Sequence, residues 1–311
     1  MKTAKVLHNP GAGEGESSDK EIIAAVEAEG YKCGYLSTKK KGWEKKDWDQ
    51  FESKDVDFIV VAGGDGTVRR LAHELLDRKL IERKLPVALL PLGTANNIAR
   101  TLGIVGETED IIKSWKQHQI KKYDVGRIGG LKKHKFFIES YGYGVFPRLM
   151  KEMKKLDRST FDTPEHKIRT ALQVLHDIII NYKPKLCKLK IDGEDVTGRF
   201  LLVEIMNTSS IGPNLHLAPF ADPGDDFFDI VLITESQRKA FADYVKGKLE
   251  GKEEAPFFTA RKARKLDIYW EGTALHVDDE HILLDDPADI QIEIQTGLLE
   301  FLVPPGVTAA K

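Results

Sequence analysis

The stretch Phe58-Ile59-Val60-Val61-Ala62-Gly63-Gly64-Asp65-Gly66-Thr67 runs from an unbroken apolar segment straight into a glycine-rich turn. Apolar residues without alternation suit a strand buried on both faces, as in a parallel sheet covered by helices. The residues that follow, Val68 to Asp77, carry helical spacing. At such a strand-to-helix turn, glycines let backbone N–H groups approach phosphate oxygens closely, and the helix N-terminus adds positive potential. A carboxylate there would repel phosphate unless a cation stood between them, so Asp65 points to magnesium. The plainer alternative is a tight turn with Asp65 capping the helix. The density of small residues from Gly63 to Thr67 favours nucleotide binding.

Working outward, strands and helices alternate. Lys5 to His8 reads as a strand ending in the loop Asn9-Pro10-Gly11-Ala12-Gly13-Glu14-Gly15, Asp19 to Glu29 as a helix, Tyr31 to Leu36 as a strand and Trp43 to Phe51 as a helix. Downstream, Pro86 to Leu90 is a buried strand and Thr94 to Leu102 a helix, joined through Pro91-Leu92-Gly93-Thr94-Ala95-Asn96-Asn97. This alternation predicts a parallel sheet covered on both sides. Loops at the ends of its strands would face one crevice, where open α/β sheets bind ligands. Alone, Thr94 reads as a helix N-cap; beside the first loop, phosphate or ribose contact is the better reading. The Asn9 loop has neither the Gly-Lys-Ser/Thr of a Walker A motif nor a full GxGxxG fingerprint.

The pattern changes near residue 123. Strand-like runs then dominate, among them Val125 to Ile128, Lys135 to Glu139, Cys187 to Ile191, Phe200 to Asn207 and Phe228 to Thr234. Lys265 to Trp270, Ala274 to Val277, Asp289 to Ile294 and Leu298 to Val303 continue the series, which helices at Pro164 to Asn181 and Gln237 to Leu249 interrupt. The expected fold is therefore an N-terminal α/β nucleotide-binding domain with a parallel sheet (residues 1–122), followed by a C-terminal antiparallel β-sandwich domain (residues 123–311).

Composition narrows the function classes. Of 311 residues, 41% are hydrophobic and 31% charged, as in a globular protein. A net charge of -2 speaks against bulk nucleic-acid binding. Cys33 and Cys187 stand apart from any CxxC or His/Cys cluster and read as reduced thiols. No apolar leader or membrane-length run is present, so a cytoplasmic protein is expected, reaching any lipid from the water side. The histidines show no zinc spacing.

These motifs resemble the family of diacylglycerol kinase catalytic domains, which includes bacterial lipid kinases and sphingosine and ceramide kinases. Asn9-Pro10-Gly11-Ala12-Gly13 is similar to its first nucleotide loop, Gly63 to Thr67 to its signature loop and Pro91 to Asn97 to its second loop. Thr38 falls where the family has a nucleotide-contacting threonine. The resemblance implies ATP and Mg2+ as cofactors, with Asn9, Pro10, Gly11, Ala12, Gly13, Thr38, Gly63, Gly64, Asp65, Gly66, Thr67, Gly93, Thr94 and Asn96 on the nucleotide. Val277-Asp278-Asp279-Glu280 resembles its Asp-Gly-Glu catalytic turn, which implies that Asp278 or Glu280 takes the proton from an acceptor hydroxyl. Tyr141-Gly142-Tyr143-Gly144 is similar to a glycine-rich turn of its second domain. The stretch from Leu217 to Asp229 resembles the approach to a structural metal loop, implying metal ligands at Leu217, Asp222 and Asp225 besides Asp65. ATP and a lipid substrate would meet between the two domains.

Departures from the family pattern keep other readings open. Arg69 and Arg70 stand where Asn-Glu is usual, Asn97 replaces an Asp, and Asp279 replaces the glycine of the catalytic turn. The alternatives are a kinase of a soluble acceptor such as NAD, and a non-catalytic nucleotide- or lipid-binding relative. Basic runs at Lys39 to Lys46 with Trp43 and Trp48, at Lys151 to Arg158, and at Arg261 to Lys265 read first as solvated faces and second as peripheral contacts with a membrane surface. Oligomeric state stays open, a homodimer included.

Overall fold

The computed structural model describes residues 1–12, 18–38, 55–77, 84–156, 163–252 and 258–306. Gly13, Arg158, the helix expected at 43–51 and the basic run with Trp43 and Trp48 lie outside them. The chain divides into two compact units: Met1–Tyr123 together with the stretch from Gly297, and Asp124–Thr296.

In the first unit, β1 (Thr3–His8), α1 (Asp19–Ala28), β2 (Lys32–Ser37), β3 (Phe58–Gly63), α2 (Asp65–Asp77), β4 (Val87–Pro91), α3 (Asn97–Thr101) and α4 (Thr108–Ser114) follow in order. The strands are parallel, ordered β4-β3-β1-β2, with Val6 beside both Tyr35 and Val60 and Val60 beside Ala88. Every residue of β3 is buried, as its apolar run requires. Helix α2 packs Val68, Leu71, Ala72 and Leu75 inward, the spacing of one helical face. Ser18 and Glu21 form a capping box that starts α1. Helix α3 begins three residues later than expected, because Asn96 takes a left-handed conformation (φ 52°) and turns its side chain back into the loop.

The chain enters the second unit within β5 (Gln119–Gly129). There follow β6 (Phe136–Phe137), β7 (Ser140–Gly144), α5 (Val145–Met153), α6 (Pro164–Asn181), β8 (Lys185–Ile191), β9 (Glu194–Asp195), β10 (Gly198–Met206), β11 (Phe228–Thr234) and α7 (Arg238–Leu249). The last strands are β12 (Arg261–Ala263), β13 (Lys265–Trp270), β14 (Ala274–Val277), β15 (Glu280–Leu283) and β16 (Asp289–Val303). Pairing is antiparallel throughout the path β15-β14-β7-β10-β8-β13-β16, with β11 on β10 and β12 on β11. Strand β10 shows why two cores form. Val203 and Ile205 join Tyr143, Leu189 and Trp270 on one side, whereas Leu202 and Met206 join Phe146, Leu175 and Phe241 on the helical side.

Three expectations need correcting. Tyr141 to Gly144 is a central strand rather than a turn; its Tyr/Gly alternation disguises the period. Helix α5 went unforeseen, because Pro147 and the lysines after it obscure its apolar face. The strands expected at 289–294 and 298–303 are one strand, and its end leaves the second unit: Phe301 lies parallel to Val87 and its ring packs on Tyr123 at 4.9 Å. Cys33 and Cys187 are both free thiols. Among the described residues no helix is long and apolar enough to cross a membrane.

Candidate active site

Three loops gather at the C-terminal ends of β1, β3 and β4. Main-chain bonds fix them to one another: Asn9 N–H donates to the Ala62 carbonyl (2.8 Å), Leu92 N–H to Gly63 (3.0 Å) and Thr38 N–H to His8 (2.8 Å). The Asn9 side chain donates to Thr67 Oγ1 (3.2 Å) and accepts from Gly11 N–H (3.2 Å). Between Gly64 and Gly93 there is no space for a side chain, since a Cβ on Gly93 would stand 2.4 Å from the Gly64 Cα. Glycine is needed here for close approach.

The loops enclose a groove of about 300 Å³. Asn9, Gly11, Ala12 and Thr38 line one part of it, and Gly64, Gly66, Thr67, Gly93 and Thr94 the other. Four further expected residues are not part of this lining: Pro10, Gly63, Asp65 and Asn96. The Asn96 amide donates to the carbonyls of Pro91 (3.1 Å) and Gly93 (2.8 Å), and its Oδ1 accepts from Gly93 N–H (2.9 Å), so it braces the loop. Asp65 does cap a helix, as the plainer sequence reading has it, but α3 rather than the helix that follows it. Its two oxygens accept the N–H groups of Asn97 and Ile98, each at 3.0 Å, and so satisfy the orphan donors that open α3. Helix α3 needs this because its own N-cap side chain is turned away.

Arg70 lines the groove as well, one turn beyond Thr67 on the same face of α2. In the sequence it stands as a departure that puts a cation near the phosphates, outside the expected nucleotide contacts. Its signal is the i+3 spacing from a loop threonine. Among the described lining residues it is the charged one, and together with the amides it makes the groove suited to an anionic, polyphosphate-like ligand.

In the second unit Asp278 occupies a left-handed turn (φ 50°) between β14 and β15. Its Oδ1 accepts from the N–H groups of Ile138 (3.1 Å), Glu139 (2.8 Å) and Ser140 (3.1 Å), while Oδ2 takes one longer bond from Ile138 (3.3 Å). Asn207 braces the same segment, donating through its amide to the carbonyls of Asp124 (2.8 Å) and Ile138 (2.9 Å). Glu280, two residues on, is more exposed and stands 3.8 Å from His134 Nδ1.

Residues 3–128 match the family model described as the diacylglycerol kinase catalytic domain, and residues 155–301 match the YegS C-terminal NAD kinase beta sandwich-like domain. The chain thus carries a diacylglycerol kinase catalytic domain followed by a YegS-type C-terminal domain. A protein of Bacillus subtilis named diacylglycerol kinase is 23% identical over 94% of this chain and 86% of its own length. Among solved structures, a diacylglycerol kinase of Bacillus anthracis superimposes with a TM-score of 0.74 at 24% identity, covering 99% of both chains. A kinase catalytic domain implies use of ATP, and the groove has the donors to cradle its phosphates.

At the structural metal loop that the family resemblance implies, the acids already have partners. Asp222 Oδ1 accepts from Gly224 N–H (3.0 Å) and Asp225 Oδ1 from Phe227 N–H (3.0 Å). The ammonium of Lys262, on β12, stands 2.8 Å from Asp225 Oδ2 and 2.7 Å from Asp229 Oδ2. Burial pushes the Asp229 carboxyl upward, and Lys262 opposes that shift. Leu217 is wholly buried, its N–H on the Leu215 carbonyl. A lysine thus supplies the positive charge among these acids, and the described residues hold no cluster of three or more metal-ligating side chains.

Proposed function

We propose that this chain transfers the γ-phosphoryl group of ATP to the hydroxyl group of a lipid, with diacylglycerol the first acceptor to test. The reading rests on the glycine-lined groove at the strand ends, in a chain of a kinase family whose relatives carry diacylglycerol kinase in their names. Amides of the Gly64 and Gly93 loops, the hydroxyls of Thr67 and Thr94, and Arg70 bind and orient the phosphates. Magnesium, arriving with ATP, supplies charge neutralisation at the β- and γ-phosphates. On the protein side Asp65 would hold such an ion through water, since both its oxygens already accept main-chain N–H groups. The acceptor oxygen bonds to the γ-phosphorus as the bond to the β,γ-bridging oxygen breaks, and its proton passes to Asp278 or Glu280. The exposed lysines in the last turn of α5 and just beyond it (Lys151, Lys154 and Lys155) suit a peripheral approach to anionic headgroups.

Purified protein with labelled ATP and magnesium, offered detergent-dispersed diacylglycerol, sphingoid bases, phosphatidylglycerol and, separately, NAD, tests the reading. Label in the organic phase is expected. Label in NAD instead would move the acceptor to the soluble class that the name of the second family model suggests, and binding of ATP without transfer would make the chain a non-catalytic relative. Asp278→Asn and Glu280→Gln then separate the two carboxylates: the one that takes the proton loses turnover and keeps ATP affinity.

A further inference from the structure

Directly beneath the Asp278 turn lies an ionisable pair that the reaction above does not use. His276 and Glu204 are both completely buried. Imidazole Nε2 stands 2.9 Å from Glu204 Oε1 and 3.1 Å from Oε2, and Nδ1 stands 2.9 Å from the Asp278 carbonyl oxygen. Both nitrogens face oxygens, an arrangement that a doubly protonated ring satisfies. The pair is built in from several sides. A Cβ on Gly142 would fall 2.1 Å from Glu204 Oε2, which explains the glycine in the centre of β7, and the Phe146 ring meets the imidazole edge-on. Removing charges from water is costly, and an apolar pair would fill this space at less expense.

We propose that His276, held by Glu204, is a positioning residue for the carboxylate turn at 278–280. The imidazole grips the main chain of Asp278 from below while the amides of 138–140 grip its carboxylate. Together they hold a left-handed conformation that a non-glycine residue resists. The consequence for phosphoryl transfer rests on the function proposed above; the positioning itself does not.

His276→Leu and His276→Asn separate positioning from bulk stability, because the Asn amide restores an N–H donor near the place of Nδ1. Hydrogen exchange at the amides of Ile138, Glu139 and Ser140 should quicken at least tenfold in His276→Leu, with α6 unchanged, and be largely restored in His276→Asn. With an acceptor lipid, kcat should fall on the order of 100-fold in His276→Leu, the loss expected for a misplacement of about 1 Å, while Kd for ATP stays constant. Unchanged exchange at 138–140 overturns the proposal. Faster exchange with unchanged kcat in the folded fraction removes its catalytic consequence. If the unsubstituted chain transfers phosphate to nothing offered, the proposed function falls, and exchange alone decides the positioning.

Discussion

Gly64 and Gly93 touch through their α-carbons: a Cβ on Gly64 would lie 3.0 Å from the Gly93 Cα, and one on Gly93 at 2.4 Å from the Gly64 Cα. Two glycine-containing loops of the groove are thereby locked side by side. Gly93→Ala should force them apart, costing about 1–3 kcal/mol as overpacking does and weakening ATP binding more than tenfold. Gly30→Ala is a useful contrast. Its Cβ would meet nothing, but its φ of +83° is strained for alanine, so stability should fall without loss of ATP affinity. Denaturant unfolding and equilibrium nucleotide titration measure both.

The carboxylate of Asp65 opens α3 rather than lying loose in its loop. Asp65→Ala should therefore destabilise the protein by about 0.5–2 kcal/mol, the usual cost of losing such a cap, in buffer containing neither nucleotide nor magnesium. Equal stability of mutant and parent under those conditions would show that the two amide bonds carry no weight.

Lys262 neutralises two acids of which Asp229 is the more buried. Lys262→Met should cost about 1–3 kcal/mol at neutral pH, the range for stranding a buried polar group. The Asp229 carboxyl is already raised by burial, and loss of the ammonium raises it further. Its folded form then binds a proton more tightly than the unfolded chain does, so the deficit should shrink as pH falls towards about 5. Stability of the parent protein should not change with EDTA. A clear EDTA-induced loss that Asp225→Asn abolishes would restore a metal to this loop.

How much was legible beforehand follows from where the information resides. The apolar run Phe58 to Ala62 can be read from its neighbours, and so can the groove residues Gly64, Thr67 and Gly93, which act through main chain or short hydroxyls beside them. Asp65 was legible as important and illegible in role, because its partners lie 32 and 33 residues away on α3. Glu204 and His276 left no local trace: one sits in an apolar strand, the other in a four-residue strand, and β7 alone brings them together. Lys262 looked like part of a basic surface run until β12 paired with β11 and brought it to Asp229.

The buried imidazole also gives folding a pH dependence with a definite sign. Burial disfavours the charge on His276, but Glu204 beside it, their hydrogen bond and the Asp278 carbonyl outweigh burial and raise its pKa. Asp278 and Glu204 are the acids facing it; His281 lies across from it on β15, and Lys151 and Lys154 act on His281. A histidine whose folded pKa exceeds its unfolded one stabilises fully below the unfolded value, about 6.5, and loses that contribution as pH rises through the folded value. Glu204→Gln removes the attraction that keeps the ring charged, and its amide can donate to a neutral Nε2 while Nδ1 still donates to Asp278. This variant should therefore keep the turn closed yet lose the decline in stability above about pH 6.5 expected of the parent. Urea unfolding between pH 5.5 and 8.5 reads the difference; parallel stability curves for the two proteins would mean that the imidazole is not charged in the native state.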